Sequence, residues 1–370
     1  MKIIFAAGGT AGHINPALAV AGYIREKDPS SEILFIGTKD KMESRLVPQA
    51  GFAFQTIEIS GFQRSFSPEA LKKNIQTVFK LFKSTGESRK IIRDFAPDVV
   101  VGFGGYVSGP VLNTACSMGI PTCIHEQNAF PGVTNKTLAK KVDRVMLTVE
   151  DAKKYLQPKR EPVITGLPVR GEIIHADKAF ARASLGLKEG VPLVLSTGGS
   201  LGARPINEAM VTVIEAHSKN KRCHHIHSMG ASGGAMLDEL RNRGVELGGN
   251  IDCRRYIDDM DICLAAADLV VGRAGASSLS ELQAMGKPSI LIPSPYVSEN
   301  HQYHNAMALV SRNAARIIEE KDLTGEKLLA QIDGLLSDKK ELALIGKNAR
   351  SMAVMNSSSQ IAEVIFELVK

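Results

Sequence analysis

The sequence predicts an α/β protein built from two parallel-sheet domains, and three observations lead there. Short apolar runs alternate with amphipathic stretches along the whole chain. Such runs suit strands buried on both faces, with helices as the crossovers between them. The pattern also restarts midway, each half opening with a strand that runs into a Gly-rich turn and then a helix, so the halves read as two Rossmann-like units. Finally, 370 residues exceed what a single core ordinarily holds.

Taken in order, the strand candidates of the first half are residues 3–6, 33–36, 99–101, 121–124 and 142–148. Helical patterns cover 16–26, opened by a proline at an expected first turn, and 71–94. The second half repeats the scheme with strands at 193–196, 224–229, 269–271 and 289–292. Its helices are expected at 206–217, 236–243, 278–285 and 303–310. Pro162-Val163-Ile164-Thr165-Gly166-Leu167-Pro168 carries two prolines and a glycine, a composition suited to a hinge. The expected division is therefore 1–164, 165–341 and a C-terminal helix at 342–370 that packs back on the first domain. Gly-rich faces in both halves imply a deep cleft between them.

Composition removes several classes. With 44% hydrophobic and 23% charged residues the chain has the balance of a packed protein. No apolar run reaches the roughly 18–20 residues that span a bilayer, and the opening residues 1–7 are too short for a signal peptide. Cys116, Cys123, Cys223, Cys253 and Cys263 are odd in number and lack a C-x-x-C spacing. Reduced thiols are expected rather than a disulfide framework or a zinc site. The net charge of +6 permits an anionic partner without identifying one.

Six segments carry chemistry. Gly8-Gly9-Thr10-Ala11-Gly12-His13 follows the first strand, where glycine lets backbone N–H groups approach a ligand and the helix start favours anionic oxygen. It is not G-x-G-x-x-G, and no acid at the end of strand two offers itself to an adenine ribose, which disfavours a dinucleotide. His13 is either a packing or capping residue or a base. Gly102-Phe103-Gly104-Gly105-Tyr106-Val107-Ser108-Gly109 puts backbone close to a ligand or to another loop. His125-Glu126-Gln127-Asn128 sets four hydrogen-bonding side chains at the carboxyl end of a buried strand, where open α/β sheets bind ligands.

In the second half, Gly198-Gly199-Ser200-Leu201-Gly202-Ala203-Arg204 is again a Gly-rich turn into a helix. Its hydroxyl and Arg suit a diphosphate, and the missing Gly-Lys-Ser/Thr ending argues against a nucleotide-hydrolysing loop. Gly272-Arg273-Ala274-Gly275-Ala276-Ser277-Ser278-Leu279-Ser280-Glu281 opens a helix with small residues and carries a carboxylate that either accepts ribose hydroxyls or merely favours the helix dipole. Glu299-Asn300-His301-Gln302 adds groups suited to sugar hydroxyls.

Together with Gly104-Gly105-Tyr106-Val107-Ser108-Gly109-Pro110 and Tyr256-Ile257-Asp258-Asp259-Met260, these motifs resemble, in order and over nearly the whole chain, the MurG family of peptidoglycan N-acetylglucosaminyltransferases. The resemblance implies a GT-B fold and inverting transfer of GlcNAc from UDP-GlcNAc to the C4 hydroxyl of undecaprenyl-diphospho-MurNAc-pentapeptide (lipid I), making lipid II. It implies that Thr10, Ala11 and Gly12 line a diphosphate region and that Asn128 lies near the GlcNAc. Arg170 and Ser200 would meet the donor diphosphate, Ile257 the uracil through its backbone, Glu281 the ribose and Gln302 the sugar. Ala276, Ser277, Ser278, Leu279 and Ser280 would form the nucleotide-facing helix start. Leu167 stands where the family commonly has Asn, and His301 where many relatives carry a second Gln. No cofactor is expected, since the family does not need a metal as Asp-x-Asp transferases do and no such pair sits at a strand end.

The acceptor hydroxyl is a weak nucleophile that needs a base, and His13 and Glu126 are the candidates. A lipid-borne acceptor also requires membrane contact. Leu71, Ile75, Val78, Phe79 and Phe82 share one helical face. Lys72, Lys73, Lys80, Lys83, Arg89, Lys90 and Arg93 surround them, with Glu87 the single acid over 72–93. This basic amphipathic segment is either ordinary core or a contact with anionic inner-leaflet lipid, through Ile75, Phe79, Phe82, Lys72, Lys80 and Lys83. The expected location is peripheral, on the cytoplasmic face of the plasma membrane, with no nucleic-acid partner. Other readings are a different GT-B UDP-sugar enzyme, such as a glycolipid glycosyltransferase or a UDP-GlcNAc 2-epimerase, and a non-catalytic nucleotide-sugar binding protein.

Overall fold

The computed structural model describes residues 1–60, 68–231 and 233–369, and the backbone alone at 68–76, 78 and 79. The chain divides into unit 1, Met1–Pro168 with Val354–Lys370, and unit 2, Val169–Ala353.

Unit 1 runs β1 (Lys2–Ala7), α1 (Ala11–Lys27), β2 (Glu32–Gly37), α2 (Glu43–Gln49), β3 (Ala53–Thr56), α3 (Pro68–Phe95), β4 (Val99–Gly104), α4 (Ser108–Ser117), β5 (Thr122–Glu126), α5 (Val133–Ala139), β6 (Arg144–Leu147) and β7 (Val163–Ile164). Its strands form one parallel sheet in the order β3-β2-β1-β4-β5-β6-β7. The strand order reverses between β1 and β4, the switch point at which open α/β sheets leave a crevice at their carboxyl ends. Central strands are buried on both faces, which is why β1 and β4 are apolar at nearly every position, while β5 is equally buried but carries Thr122, His125 and Glu126. Phe5 stacks on Phe35 at 5.2 Å between ring centres inside this core.

Unit 2 repeats the plan: α6 (Gly171–Ile174), α7 (Lys178–Ser184), β8 (Leu193–Thr197), α8 (Arg204–Asn220), β9 (His224–Ser228), α9 (Gly234–Asn242), β10 (Ile251–Arg254), α10 (Met260–Ala266), β11 (Leu269–Gly272), α11 (Ala276–Met285), β12 (Ser289–Leu291), α12 (His301–Val310), β13 (Arg316–Ile317), α13 (Gly325–Ser337) and α14 (Lys339–Ser351). The parallel order is β10-β9-β8-β11-β12-β13, reversing between β8 and β11.

Three sequence expectations are corrected. Helix α1 starts at Ala11, so the Gly-rich segment supplies its first turn and Pro16 lies inside the helix rather than at its opening. The edge strands β3, β7, β10 and β13 escape the apolar reading because an edge strand is short and half exposed. The tail is two helices, α14 and α15 (Ser357–Val369), not one. Asn356-Ser357-Ser358-Ser359 sits at the break, and short polar side chains there compete for backbone groups and favour helix starts over helix interiors. Within unit 1, α15 packs on α1, where the Tyr23 hydroxyl donates to Ser359 Oγ at 3.0 Å.

Candidate active site

In unit 1 the loops after β1, β4 and β5 converge at the switch point. Glycine is required here for loop-to-loop packing. Gly105, at φ +80°, passes so near Gly8 that a Cβ would sit 2.3 Å from the Gly8 carbonyl oxygen. A Cβ on Gly104, at φ +99°, would lie 2.8 Å from Nδ1 of His13. The buried Ser108 hydroxyl accepts from the Gly104 N–H at 3.0 Å and lies 2.9 Å from the Ala6 carbonyl, tying the second loop to β1. Glu43, fully buried on α2, accepts from the Gly9 N–H (3.1 Å), the Thr38 N–H (3.0 Å) and the Thr38 hydroxyl (2.7 Å), which locks the first loop from below.

His13 stands half-buried on the first turn of α1, its Nδ1 2.9 Å from Oε1 of Gln127. The orientation of the Gln127 amide is decided by its other end. Its Nε2 donates to the carbonyls of Phe103 and His125, both at 3.0 Å, and only the amide nitrogen can meet a carbonyl. Oε1 therefore faces His13, and Nδ1 of His13 carries the proton. The lone pair of neutral His13 is left on Nε2. Behind it, His125 is buried, stacked on Phe103 at 5.3 Å and bonded through Nε2 to the Gly166 carbonyl at 2.8 Å. Burial lowers its pKa to about 4, so it is neutral, and its Nδ1 lies 3.2 Å from the Gln127 amide nitrogen.

Glu126 is differently placed from the sequence expectation. It is buried, and four donors surround its carboxylate: Asn128 N (2.9 Å) and Nδ2 (3.2 Å), Asn135 Nδ2 (2.8 Å) and Gly132 N (3.3 Å). A carboxylate so occupied organises its loop, because abstracting a proton would break bonds it already accepts. Asn128 likewise turns its amide nitrogen back onto Glu126. Thr10 forms the N-cap of α1 without a side-chain bond, so the N–H groups of Ala11 and Gly12 face out of the helix start. Leu167 is buried and apolar, with no polar function.

In unit 2 the loop after β8 is also shaped by backbone proximity. A Cβ on Gly202, at φ +79°, would lie 2.3 Å from the Met229 carbonyl oxygen, whereas Gly199, at φ +89°, faces open space. Ser200 is exposed beside it. Arg204, on the exposed face of α8, pairs with Glu208 at 2.7 Å. Helix α11 has no side-chain cap at Gly275, and Leu279 N–H is the first to close back, on the Gly275 carbonyl at 3.0 Å. The N–H groups of Ala276, Ser277 and Ser278 thus crown the helix start, a ready anion site. Leu279 and Ser280 are buried on the packed side.

Glu281, one turn in, lies 3.4 Å from Arg170. Burial raises the pKa of its carboxyl, and the guanidinium acts against that shift. Gln302 accepts from the Ser294 N–H at 2.9 Å, and His301 donates from Nδ1 to the Ser298 carbonyl at 2.8 Å. Glu299 and Asn300 preceding them are both left-handed, at φ +56° and +48°. Two successive non-glycine residues there hold strain of roughly 1–2 kcal/mol each. Ile257 is buried beside the exposed Tyr256. A separate hollow of about 560 Å³, lined by residues such as Pro205, Tyr296, Tyr303 and Thr324, includes none of the expected donor contacts.

On α3, Thr77, Ser84 and Ser88 are buried while Phe82 is 74% exposed. At that turn the apolar stripe is thus not core. Lys80 and Lys83 both pair with Glu58, at 3.5 and 2.5 Å. The side chains of Lys72, Ile75 and Phe79 lie outside the described residues.

Gln127 is the residue that sequence reasoning undervalued. Its polar neighbours were visible, but its function depends on Phe103 and His13, brought in by two other loops.

Known proteins agree with this layout. Residues 3–147 match the glycosyltransferase family 28 N-terminal domain, and residues 193–364 match the corresponding C-terminal domain. The chain is 47% identical, over 100% of its length and 99% of the relative's, to a UDP-N-acetylglucosamine--N-acetylmuramyl-(pentapeptide) pyrophosphoryl-undecaprenol N-acetylglucosamine transferase of Acetivibrio thermocellus. It is 43% identical to the protein of the same name from Desulforamulus reducens, again over 100% and 99%. Among solved structures, MurG of Acinetobacter baumannii superposes with a TM-score of 0.79 at 26% identity, covering 99% of both chains. A UDP-GlcNAc 2-epimerase of Neisseria meningitidis shares the fold alone, with a TM-score of 0.68 at 12% identity over 99% and 100%. From the matching domains and these full-length relatives, the chain belongs to the MurG family of glycosyltransferases.

Proposed function

We propose that this enzyme moves GlcNAc from UDP-GlcNAc to the C4 hydroxyl of lipid I, with inversion, to give lipid II and UDP. The observation that carries the reading is the similarity, end to end, to relatives named for that transfer. His13 is the general base. Its Nδ1–H is held by Gln127, so the Nε2 lone pair is the one that takes the acceptor proton. Unit 2 holds the donor: the bare start of α11, the open backbone at Gly199 and Arg170 balance the diphosphate as UDP departs. Glu281 accepts the ribose hydroxyls, Ile257 meets the uracil, and Gln302 the sugar. Thr10, Ala11 and Gly12 offer N–H groups to the acceptor diphosphate. Catalysis on this scheme needs no metal, since helix ends and Arg170 supply the positive field.

The protein sits peripherally on the cytoplasmic face of the plasma membrane, through the α3 segment. No described helix is long and apolar enough to cross a membrane. The exposed Phe82 supports a surface contact, and the Glu58 pairing of Lys80 and Lys83 leaves the remaining basic residues to meet anionic lipid. Phe82→Ser should weaken binding to anionic liposomes, and unchanged binding removes this contact.

One assay tests the reaction. UDP release from UDP-GlcNAc should require a lipid I analogue. Release or epimerised sugar without acceptor would support the epimerase reading instead, and binding without turnover the non-catalytic one.

A further inference from the structure

A cluster that the transfer reaction does not use lies in unit 2 at the amino end of β9, the opposite end from the Gly-rich loops. His217 is near the end of α8, Cys223 in the connection that follows, and His225 on β9, all three buried. Their donor atoms converge: His217 Nδ1 and His225 Nε2 are 2.5 Å apart, and Cys223 Sγ lies 3.2 and 3.4 Å from them. Three corners of a tetrahedral set held about 2.0–2.3 Å from one zinc ion would be roughly 3.3–3.6 Å apart. One sulfur distance, 3.4 Å, falls in that range and the other, 3.2 Å, lies just under it, and an ion would move the two imidazole nitrogens apart by about 0.8 Å.

Hydrogen bonding alone serves this cluster poorly. The Asp333 carboxylate on α13, 2.8 Å from His217 Nε2, fixes a proton there and, in the neutral ring, leaves the lone pair on Nδ1. That single lone pair then faces both a thiol and a second imidazole nitrogen, and it can accept from only one of them. One cation takes all three donors together. Asp333 supplies what metal-bound histidines ordinarily have, a carboxylate on the other ring nitrogen that fixes tautomer and orientation. We propose that His217 Nδ1, Cys223 Sγ and His225 Nε2 form a zinc site, oriented by Asp333, that staples α8, β9 and α13 together. Binding releases the Cys223 thiol proton to solvent. Two imidazoles with a thiolate suit zinc better than magnesium or calcium, which prefer oxygen. The sequence signature is H-x5-C-x-H, which a search for paired C-x-x-C motifs passes over.

The test uses the full-length chain, stripped with a chelator and titrated with Zn²⁺ or Co²⁺. Expected are about one zinc per chain, a higher melting temperature with zinc, and a cobalt–thiolate charge-transfer band that Cys223→Ser abolishes. Asp333→Asn should keep the band at saturating cobalt while weakening zinc affinity about 10–100-fold. Should Cys223→Ser fail to fold, His225→Gln read by the same spectrum carries the test. No band, a band that survives Cys223→Ser, or unchanged zinc affinity in Asp333→Asn would each overturn the proposal.

Discussion

The two units share a sheet plan, and each keeps a neutral histidine buried near the carboxyl end of a strand, yet the two histidines are wired to different ends. In unit 2, His227 accepts from the Ser196 hydroxyl at 2.7 Å and donates from Nε2 to Asn207 at 3.1 Å. Asn207 in turn donates to the Met229 carbonyl at 2.9 Å, and the chain of bonds closes on backbone. In unit 1, His125 and Gln127 pass their bonds outward to the half-buried His13. The same device closes on backbone in one unit and, on the proposed mechanism, aims a base in the other. The proposed donor side would rely on backbone N–H groups and a helix end, which need no tautomer. The proposed acceptor side would depend on one imidazole whose proton must be on a particular nitrogen.

The largest test of that contrast removes the imidazole. His13→Ala should cut turnover by roughly 10²–10⁴-fold, with UDP-GlcNAc affinity kept, as read from initial rates and a donor-binding titration. Equal loss of both would move His13 to the donor side. The next test removes the wiring in each unit. Gln127→Leu should lower kcat by about 10–100-fold with little change in the donor KM, since His13 loses the acceptor that sets its tautomer. Asn207→Leu should instead cost about 1–3 kcal/mol of stability in urea titrations, with turnover of the folded enzyme unchanged. Similar kinetic losses in both variants would erase the distinction.

A third pair acts through backbone. Gly104→Ala and Gly202→Ala each force a Cβ into contact at positive φ, at a cost of roughly 1–3 kcal/mol. The first presses on His13 and should lower kcat. The second presses on the loop after β8 and should raise the UDP-GlcNAc KM. The smallest effect is shared by both units. Burial lowers the pKa of His125 and of His227 from the ordinary 6.5 to about 4. The unfolded chain therefore binds more protons between those values, so stability is complete above about pH 6.5 and declines as pH falls toward 4. From pH 7 to 5.5 each histidine should contribute roughly 1 kcal/mol of loss, and His227→Gln should flatten that slope in denaturant titrations.

The legible part of the fold was its centre. β1, β4, β8, β11 and β12 announce themselves because a strand buried on both faces is apolar at successive positions. The edges β3, β7, β10 and β13 do not, for the same reason reversed. The loops that carry chemistry were legible as glycine-rich segments, but not what each glycine meets. Gly104 and Gly105 fit against His13 and Gly8, and Gly202 against Met229, contacts between loops about 20 to 100 residues apart in sequence. The split between Glu126 and His13 was equally hidden, because the donors around Glu126 include Gly132 and Asn135 from the far side of its loop.

Glu43 carries one more consequence, for selectivity. It closes the underside of the first glycine loop and has already taken the Gly9 N–H. A nucleotide phosphate laid against that turn would find its donor engaged and a carboxylate behind it. Two similar sheets can thus present different surfaces without different folds: in the first unit the Gly9 N–H is already bound, while the N–H groups of Ala11 and Gly12 at the start of α1 face outward.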